Sequence, residues 1–218
     1  MQIIDLLSHI KPGETVVVEH DSTAVPSYVL YILVKEALNE GRKVFIDDFM
    51  DTFHIYKTQL ELGGVDVSIF DEIPVIKIGG IAEVGKIVGI ISPRGGTIIR
   101  KEYEKIYTGI VSEEETTVNP VLGLEKMLLL AEDKLELMET LTEVYLRLGD
   151  KRRISIYFVN KDILKNVHPV ALSIIEFMAT TLIEVEKKGR VYTLEVLKSI
   201  TPEIDGKTFN YDLDRLEG

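Results

Sequence analysis

The chain lacks cysteine and tryptophan, and it contains no long apolar run. Without a thiol, disulfide bonds, thiolate metal sites and cysteine nucleophiles are excluded. A membrane-spanning helix needs roughly 20 consecutive apolar residues, and the first residues have neither the basic nor the apolar segment of a signal peptide. We therefore expect a cytoplasmic protein without a membrane partner.

Positive charge is also scarce. The sequence has 25 Lys and Arg residues against 36 Asp and Glu, which gives a net charge of -11. Such a surface repels the phosphate backbone, so we expect no nucleic-acid partner. Glu and Lys are still abundant while Gln is rare, a bias that is reported for hyperthermophile proteins. The composition indicates a thermophilic, archaeal source.

Hydrophobic patterning predicts a single α/β domain over residues 1–218. A Val-rich strand at 15–19 leads through a polar turn into an apolar helix that starts near Pro26 and stops before Gly41, and a second strand covers 43–49. This order predicts a right-handed crossover and a parallel strand pair. The other predictions are helices at 1–12, 52–62, 120–148 and 169–179, strands at 65–70, 74–80, 86–91, 105–111 and 153–160, and a hairpin at 180–199 with a partly docked tail.

Together these elements predict a mainly parallel sheet flanked by helices, with an antiparallel hairpin near its end. Three stretches resemble the RecA/KaiC/RadA-type P-loop ATPases, and the likeness is greatest to an uncharacterised family from hyperthermophilic archaea. They are the strand–turn–helix–strand unit, the following segment that ends in Gly-Val-Asp, and the hairpin, whose last strand contains Lys198. The resemblance implies a RecA-like fold with a former phosphate loop at the first turn.

The residues that bind phosphate are missing from that turn. A working loop reads GxxxxGK[ST], in which the glycines admit the phosphates, the Lys contacts them and the hydroxyl holds magnesium. In the best register His20 and Val25 replace the glycines, Pro26 replaces the Lys, and only Ser27 matches. Losing one fixed electrostatic contact costs roughly 3–4 kcal/mol of transition-state stabilisation. The sequence predicts no ATP hydrolysis and no bound cofactor.

Other short motifs depart from the ATPase pattern or have a simpler interpretation. The acidic pair after the second strand falls at Met50 and Asp51, and the strand at 153–160 ends in Asn160 where a magnesium-orienting Asp is expected. The run Asn-Lys-Asp at 160–162 resembles the guanine-reading NKxD motif, but its accompanying loops are missing, so we interpret it as chance. The Gly-rich run at 92–97 is interpreted as a turn.

A polar set follows the first two strands. It consists of His20, Asp21, Ser22, Thr23, Asp47, Asp48, Asp51 and His54. If the strands are adjacent, these side chains share the crevice where open α/β sheets bind ligands. There, His20, Asp48 and His54 are candidate metal ligands, and the set can also carry out acid–base chemistry. The alternative is that these residues cap helices.

The predicted helix at 120–148 has an apolar stripe that includes Met127, Met138 and Tyr145. Methionine-rich faces suit adaptable partner surfaces, whereas the alternative role of such a helix is to cover the sheet.

Our leading hypothesis is a non-catalytic binding or assembly module that engages a protein, a peptide or a second copy of itself. One alternative is a ligand- or metal-binding protein, or an enzyme, that uses His20, Asp21 and Asp48 in the former phosphate cleft. Another is a nucleotide sensor without turnover.

Overall fold

The structure is a computed structural model that describes residues 6–93 and 96–213. Its strands are β1 Thr15–His20, β2 Ile46–Phe49, β3 Pro74–Ile78, β4 Lys86–Ile91, β5 Thr117–Leu122, β6 Arg153–Asn160, β7 Thr181–Lys188, β8 Val191–Ser199 and β9 Thr208–Asp212. Its helices are α1 Leu6–His9, α2 Ser27–Asn39, α3 Thr52–Leu62, α4 Gly96–Ile110, α5 Leu124–Leu129, α6 Lys134–Tyr145, α7 Lys161–Val167 and α8 Pro169–Met178.

The strands form one sheet in the order β4-β3-β2-β5-β6-β1-β7-β8-β9. The strands from β4 to β7 in this order are parallel to their neighbours, whereas β8 and β9 are antiparallel additions. This confirms the predicted fold class, the terminal hairpin and a docked tail, in which Phe209 and Leu213 are buried. The predicted pairing of β1 with β2 is wrong, because β5 and β6 lie between them.

Helices cover both faces of the sheet, which explains why β1 is buried along its whole length. Val16 and Val18 belong to the core under α1, α2 and α3, whereas Val17 packs in the core under α5 to α8. A third core cluster lies under α4 and contains Tyr103 and Tyr107. Alternate side chains of β1 therefore pack in two separate cores, one on each face of the sheet.

Two segments predicted as strands are not strands. Residues 65–70 form a loop and a 3-10 helix, Ser68–Phe70, and residues 105–110 belong to α4. In α4, Tyr103 and Tyr107 are both buried, and a spacing of four residues puts them on one helical face. The four-residue spacing of these buried tyrosines identifies the segment as a helix, whereas the apolar content of residues 105–111 does not.

The predicted helix at 120–148 is also wrong. The structure divides this segment into the end of β5, the short helix α5 and the helix α6. All six residues of β5 are buried, so the strand has no polar face that would distinguish it from a buried helix. Gly123 follows β5 with a φ of 82°, a left-handed conformation that suits glycine and allows the abrupt change to α5.

Pro120 lies in β5 between two neighbouring strands, although proline cannot donate to a sheet ladder. The amide of Val118 donates to Lys43 O and the amide of Phe45 donates to Val118 O. In a regular parallel ladder the next donor, to Phe45 O, is the amide of residue 120. The side-chain amide of Asn119 donates to Phe45 O instead, at 3.3 Å. The Asn-Pro pair is thus a strand with a side-chain substitute for the missing donor.

Three predictions extend beyond the described residues. The predicted helix at 1–12 is described only from Leu6, the Gly-rich run at 92–97 includes Arg94 and Gly95, and the tail continues past Leu213. Among the described helices, none has the length and apolar character that a membrane span requires.

Candidate functional site

The turn between β1 and α2 is closed by a carboxylate of the chain itself. Asp21 Oδ1 accepts hydrogen bonds from the Thr23 amide at 2.8 Å, the Thr23 hydroxyl at 2.7 Å and the Ala24 amide at 2.7 Å. The Thr23 hydroxyl contributes most to lowering the pKa of Asp21 below its usual value. The carboxylate therefore holds backbone amides of the kind that cradle phosphate in a working loop.

A second carboxylate reaches the same turn from α7. Asp162 Oδ2 accepts a hydrogen bond from the Ser22 amide at 2.8 Å. Asn160 is the N-cap of α7, because its Oδ1 accepts from the amides of Asp162 and Ile163. Lys161 forms an ion pair with Glu184 on β7. Capping and ion pairing account for the run that resembles NKxD.

The start of α2 has few groups that could bind a phosphate. Pro26 is the N-cap residue of α2 and has no amide hydrogen, and the carbonyl of Val25 accepts a hydrogen bond from the Tyr192 hydroxyl at 2.9 Å. Ser27 is fully buried, and its hydroxyl has no hydrogen-bond partner among the described residues. The one residue that matches the phosphate-loop pattern is thus inaccessible to a nucleotide in this conformation.

His20 and Asp48 do not share a cleft. They end β1 and β2, and three strand spacings separate these strands by about 14 Å. His20 is buried, its Nδ1 lies 2.8 Å from Asp21 O, and burial lowers its pKa. His54 is exposed on α3. Within the described ranges, no group of three or more His, Asp or Glu side chains is arranged to hold a metal ion.

The acids after β2 form a separate cluster around a buried lysine. Lys77 is 2% exposed and forms ion pairs with Asp51 and, at 3.6 Å, with Asp48. Asp48 Oδ1 also accepts from the Phe53 amide at 2.8 Å, which caps the first turn of α3. Asp51 accepts from the amide of Ile81 at 2.8 Å. The bond from Phe53 supports the capping interpretation of Asp48, whereas Asp51 occupies the N-cap position of α3 without a side-chain capping bond, so its predicted capping role is wrong.

The backbone of the β2–α3 turn is left-handed at two consecutive residues that are not glycine. Met50 has a φ of 52° and Asp51 a φ of 60°. Such conformations cost free energy for residues with a Cβ atom. The ion pair of Asp51 with buried Lys77 and a hydrogen bond from Lys126 to Met50 O at 3.0 Å hold this conformation. We assign the turn a structural role.

The face of β1 under α7 and α8 carries an acid that sequence reasoning overlooked. Glu19 is 4% exposed, and burial, reinforced by the charge of Glu176, raises its pKa to about 7. The Glu176 carboxyl group is close enough to contribute to this shift. Lys161 and Glu184 lie close enough to affect the same pKa.

The three residues predicted as a partner surface do not form one. Met127 belongs to α5 and is buried in the core under α4, whereas Met138 belongs to α6 and is 41% exposed. Tyr145 is half-buried against the core under α5 to α8, and its hydroxyl lies 2.7 Å from the Thr142 hydroxyl. The proposed stripe depended on a continuous helix, which the break between α5 and α6 removes.

A buried polar network on β2, β5 and β6 was also missed. Arg153 is 2% exposed and donates to Asn119 Oδ1 at 2.8 Å and to the Tyr103 hydroxyl at 3.3 Å. Asp47 Oδ2 accepts from the Tyr103 hydroxyl at 2.7 Å and from Asn119 Nδ2 at 3.3 Å. The signal available in the sequence was an Arg that begins a run of otherwise uncharged strand residues, because a buried Arg needs several acceptors.

Comparison with solved structures supports the fold. The Pyrococcus horikoshii OT3 protein PH0250 superposes with a TM-score of 0.82 and 30% sequence identity, over 95% of this chain and 97% of that chain. A KaiC-like protein, PH0186, from the same organism superposes with a TM-score of 0.62 and 11% identity, over 93% of this chain and 86% of that chain. The second likeness concerns the fold alone. No curated protein matched the chain.

The sequence comparison also agrees with the archaeal, thermophilic source indicated by composition. A family model described as "Pyrococcus protein of unknown function, DUF257" matches residues 5–210. The match covers nearly the whole sheet, including the closed turn after β1 and the antiparallel strands β7 and β8. The chain therefore belongs to the DUF257 family of Pyrococcus proteins and has a RecA/KaiC-like fold.

Proposed function

We propose that this protein is a non-hydrolysing member of the RecA/KaiC-like fold that acts by binding a segment of another protein. The observation that carries the first part is the closed β1–α2 turn, in which Asp21 and Asp162 accept from the amides of Ser22, Thr23 and Ala24. A phosphate at this turn has to displace two carboxylates, and no lysine stands at the phosphate-loop position to compensate.

An exposed apolar surface along α8 and beside its C-terminal end supports the second part. We define the α8 patch as Val170, Phe177, Leu197 and Ile200, whose exposed fractions are 65%, 85%, 47% and 55%. Val170 and Phe177 are seven residues apart, so they lie on one face of α8. The Ile200 amide donates to Thr180 O, which places Ile200 beside the end of the same helix. Exposed apolar groups that cluster in this way are typical of interaction sites.

The charges around the α8 patch favour a basic partner. Glu195, Glu203 and Asp205 are exposed on β8 and in the segment that follows it, where Lys207 is the exposed base. Lys198 is engaged, since its Nζ donates to Glu176 O at 2.6 Å. Two copies of the chain meeting at this patch would face each other with acidic rims. We therefore propose an apolar segment flanked by Lys or Arg residues as the partner.

Nucleotide turnover and peptide binding test the two parts separately. We expect no magnesium-dependent ATP hydrolysis above a heat-denatured control and no saturable ATP binding. ATP binding without turnover would favour a nucleotide sensor, and turnover would overturn the proposal.

For the partner, the probes are a model peptide of Leu and Lys and a matched peptide of Leu and Glu. We expect the Lys peptide to bind at least tenfold more tightly, and Phe177→Asp to abolish its binding. Leu62→Asp is the matched control, because Leu62 is 86% exposed on α3. Equal loss in both variants, or self-association through Phe177 in native mass spectrometry, would contradict the basic-partner assignment.

A further inference from the structure

A cavity lies between the sheet and the helices α4 and α6, on the face opposite α2 and α3. It has a volume of about 70 Å³, several times the minimum of about 10–15 Å³ that a single water needs. Its floor contains Asp47 and Arg153, and Glu143 of α6 and Arg147 of the turn after α6 lie at its side. The remaining lining side chains are mostly apolar, among them Phe49, Ile78, Val121, Leu124, Met127 and Val144.

The polar floor of this cavity is incompletely hydrogen-bonded. Asp47 Oδ2 is occupied by Tyr103 and Asn119, but Asp47 Oδ1 is buried and has no partner among the described residues. Arg153 Nη1 is occupied, whereas its buried Nε likewise has no partner in that part of the chain. Buried polar atoms are nearly always paired. In the described part of the chain, Asp47 Oδ1 thus lacks a hydrogen-bond donor and Arg153 Nε lacks an acceptor.

The charges on the floor and at the side of the cavity balance in two pairs, and the remaining lining acid, Glu139, is exposed to solvent. Arg153 is opposed by Asp47, whose distance exceeds a direct ion pair but whose charge acts on it, and Arg147 is paired with Glu143 at 3.3 Å. Adding a charged group to this enclosed site leaves that charge without a counter-ion, which is costly. A neutral group satisfies both orphaned atoms without disturbing the balance.

We propose that the cavity binds a small neutral molecule with an adjacent N–H donor and C=O acceptor on one edge, the chemistry of a lactam or a pyrimidine base. The N–H is donated to Asp47 Oδ1 and the C=O accepts from Arg153 Nε. The rest of the molecule packs against the apolar wall, in a site whose polar groups fix orientation while its apolar side chains provide contact area.

An adjoining groove provides a route to the cavity. It is lined by Met50, Pro93, Leu130 and Glu136 and shares Ile99, Met127, Glu139 and Thr140 with the cavity. Thr140 is half-buried on α6, so a larger side chain at this position narrows the shared entrance without replacing a core residue. The proposal is independent of the α8 patch, which lies at the other end of the sheet order beside β8.

The test uses uracil and 2-pyrrolidinone as probes, with 1,3-dimethyluracil and N-methylpyrrolidinone as partners of similar size that lack the N–H. Binding to the full chain is measured by titration in ligand-observed NMR. We expect saturable binding of at least one N–H probe and at least tenfold weaker binding of its methylated partner. Equal binding of each pair, or no binding by any probe so that the cavity holds water only, would overturn the proposal.

Three variants locate the binding. Thr140→Phe should weaken binding of the N–H probe at least tenfold, whereas Met138→Phe, on the same helix but outside the cavity lining, should not change it. Asp47→Asn exchanges an acceptor for an amide and should also reduce binding. Circular dichroism confirms that each variant is folded, and retained binding in folded Thr140→Phe would show that the probe binds elsewhere.

Discussion

Asp47 and Asp48 are neighbours on β2, yet their environments differ. Asp48 faces the α3 side, where both of its oxygens are engaged by the Phe53 amide and by Lys77. Asp47 faces the α4 side, where one oxygen is hydrogen-bonded and the other has no partner in the described part of the chain. Burial raises the pKa of both carboxyl groups. Among the described residues, both carboxylate oxygens of Asp48 thus have partners on one face of the sheet, whereas only one oxygen of Asp47 has partners on the other face.

The difference separates a structural cluster from a candidate binding site. The Asp48 cluster supports the left-handed turn at Met50 and Asp51, and its groups find their partners within the chain. The Asp47 network lines a cavity and retains unpaired polar atoms. Because its groups are paired with each other, the Asp48 cluster is explained by its contribution to folding stability. The unpaired atoms of the Asp47 network are instead explained by a molecule that binds to them.

The largest expected effect comes from breaking the completed cluster. Lys77→Met leaves Asp48 and Asp51 beside each other without their buried cation, and we expect a loss of about 4 kcal/mol in the free energy of unfolding, as for other broken buried pairs. Guanidinium denaturation measures the loss. Lys57→Met is the control, because Lys57 pairs with exposed Asp71 and such pairs contribute at most about 1 kcal/mol. Similar losses in both variants would contradict a special role for Lys77.

A smaller effect is expected from Asn119, which belongs both to the hydrogen-bond ladder of β5 and to the buried polar network. Asn119→Ala removes the donor to Phe45 O and the acceptor for Arg153, and we expect a loss of about 3 kcal/mol, since buried partners remain unpaired. Pro120→Ala restores a backbone donor to Phe45 O. Asn119→Ala should therefore cost about 1 kcal/mol less in the Pro120→Ala background. A double-mutant cycle without coupling would show that Asn119 does not substitute for the missing amide.

Glu19 extends the comparison to a third buried acid, one whose Oε1 has no hydrogen-bond partner within residues 6–93 and 96–213. Its pKa is about 7 in the folded protein against an ordinary value of 4.5, so the folded state binds the extra proton between these values. The free energy of unfolding should therefore fall as the pH rises from about 5 to about 7, by about 2 kcal/mol.

Glu19→Gln keeps the size of the side chain but removes this titration. Burial also raises the pKa of Glu125 to about 7, so the variant should lose part of the pH dependence and not all of it. Denaturation at pH 5 and pH 8 measures the change, with the exposed Glu203→Gln as control. A pH dependence that is the same in Glu19→Gln and in the unaltered protein would show that Glu19 does not carry the extra proton.

The sequence was sufficient to predict the layered parallel sheet and its antiparallel end, because Val-rich strands and apolar helices each have a distinctive period. It was not sufficient at β5, where a fully buried strand has no alternation and Asn119-Pro120 reads as a helix start. That error placed Met127 and Met138 on one helix. It also left β1 and β2 adjacent, so His20 and Asp48 were assigned to one cleft.

Sequence reasoning located the β1–α2 turn and the residues missing from it, but not what occupies its amides. Asp21 is close in sequence to Thr23 and Ala24, so its capping role could be predicted from its position. Asp162 is 140 residues from Ser22, and only the pairing of β1 with β6 brings them together. The buried network has the same origin, since Asp47, Asn119 and Arg153 come from three strands whose order the sequence does not reveal.

The smallest expected effect tests this turn. Asp21→Ala removes a capping carboxylate and should lower the free energy of unfolding by about 1 kcal/mol. If Asp21 occupies an anion-binding turn, the freed amides of Thr23 and Ala24 should bind inorganic phosphate, so phosphate should raise the melting temperature of Asp21→Ala more than that of the unaltered protein. Asp66→Ala is the matched control, because Asp66 caps the Ser68 amide at an unrelated turn. Equal phosphate responses in all three proteins would mean that Asp21 caps the turn without replacing an anion.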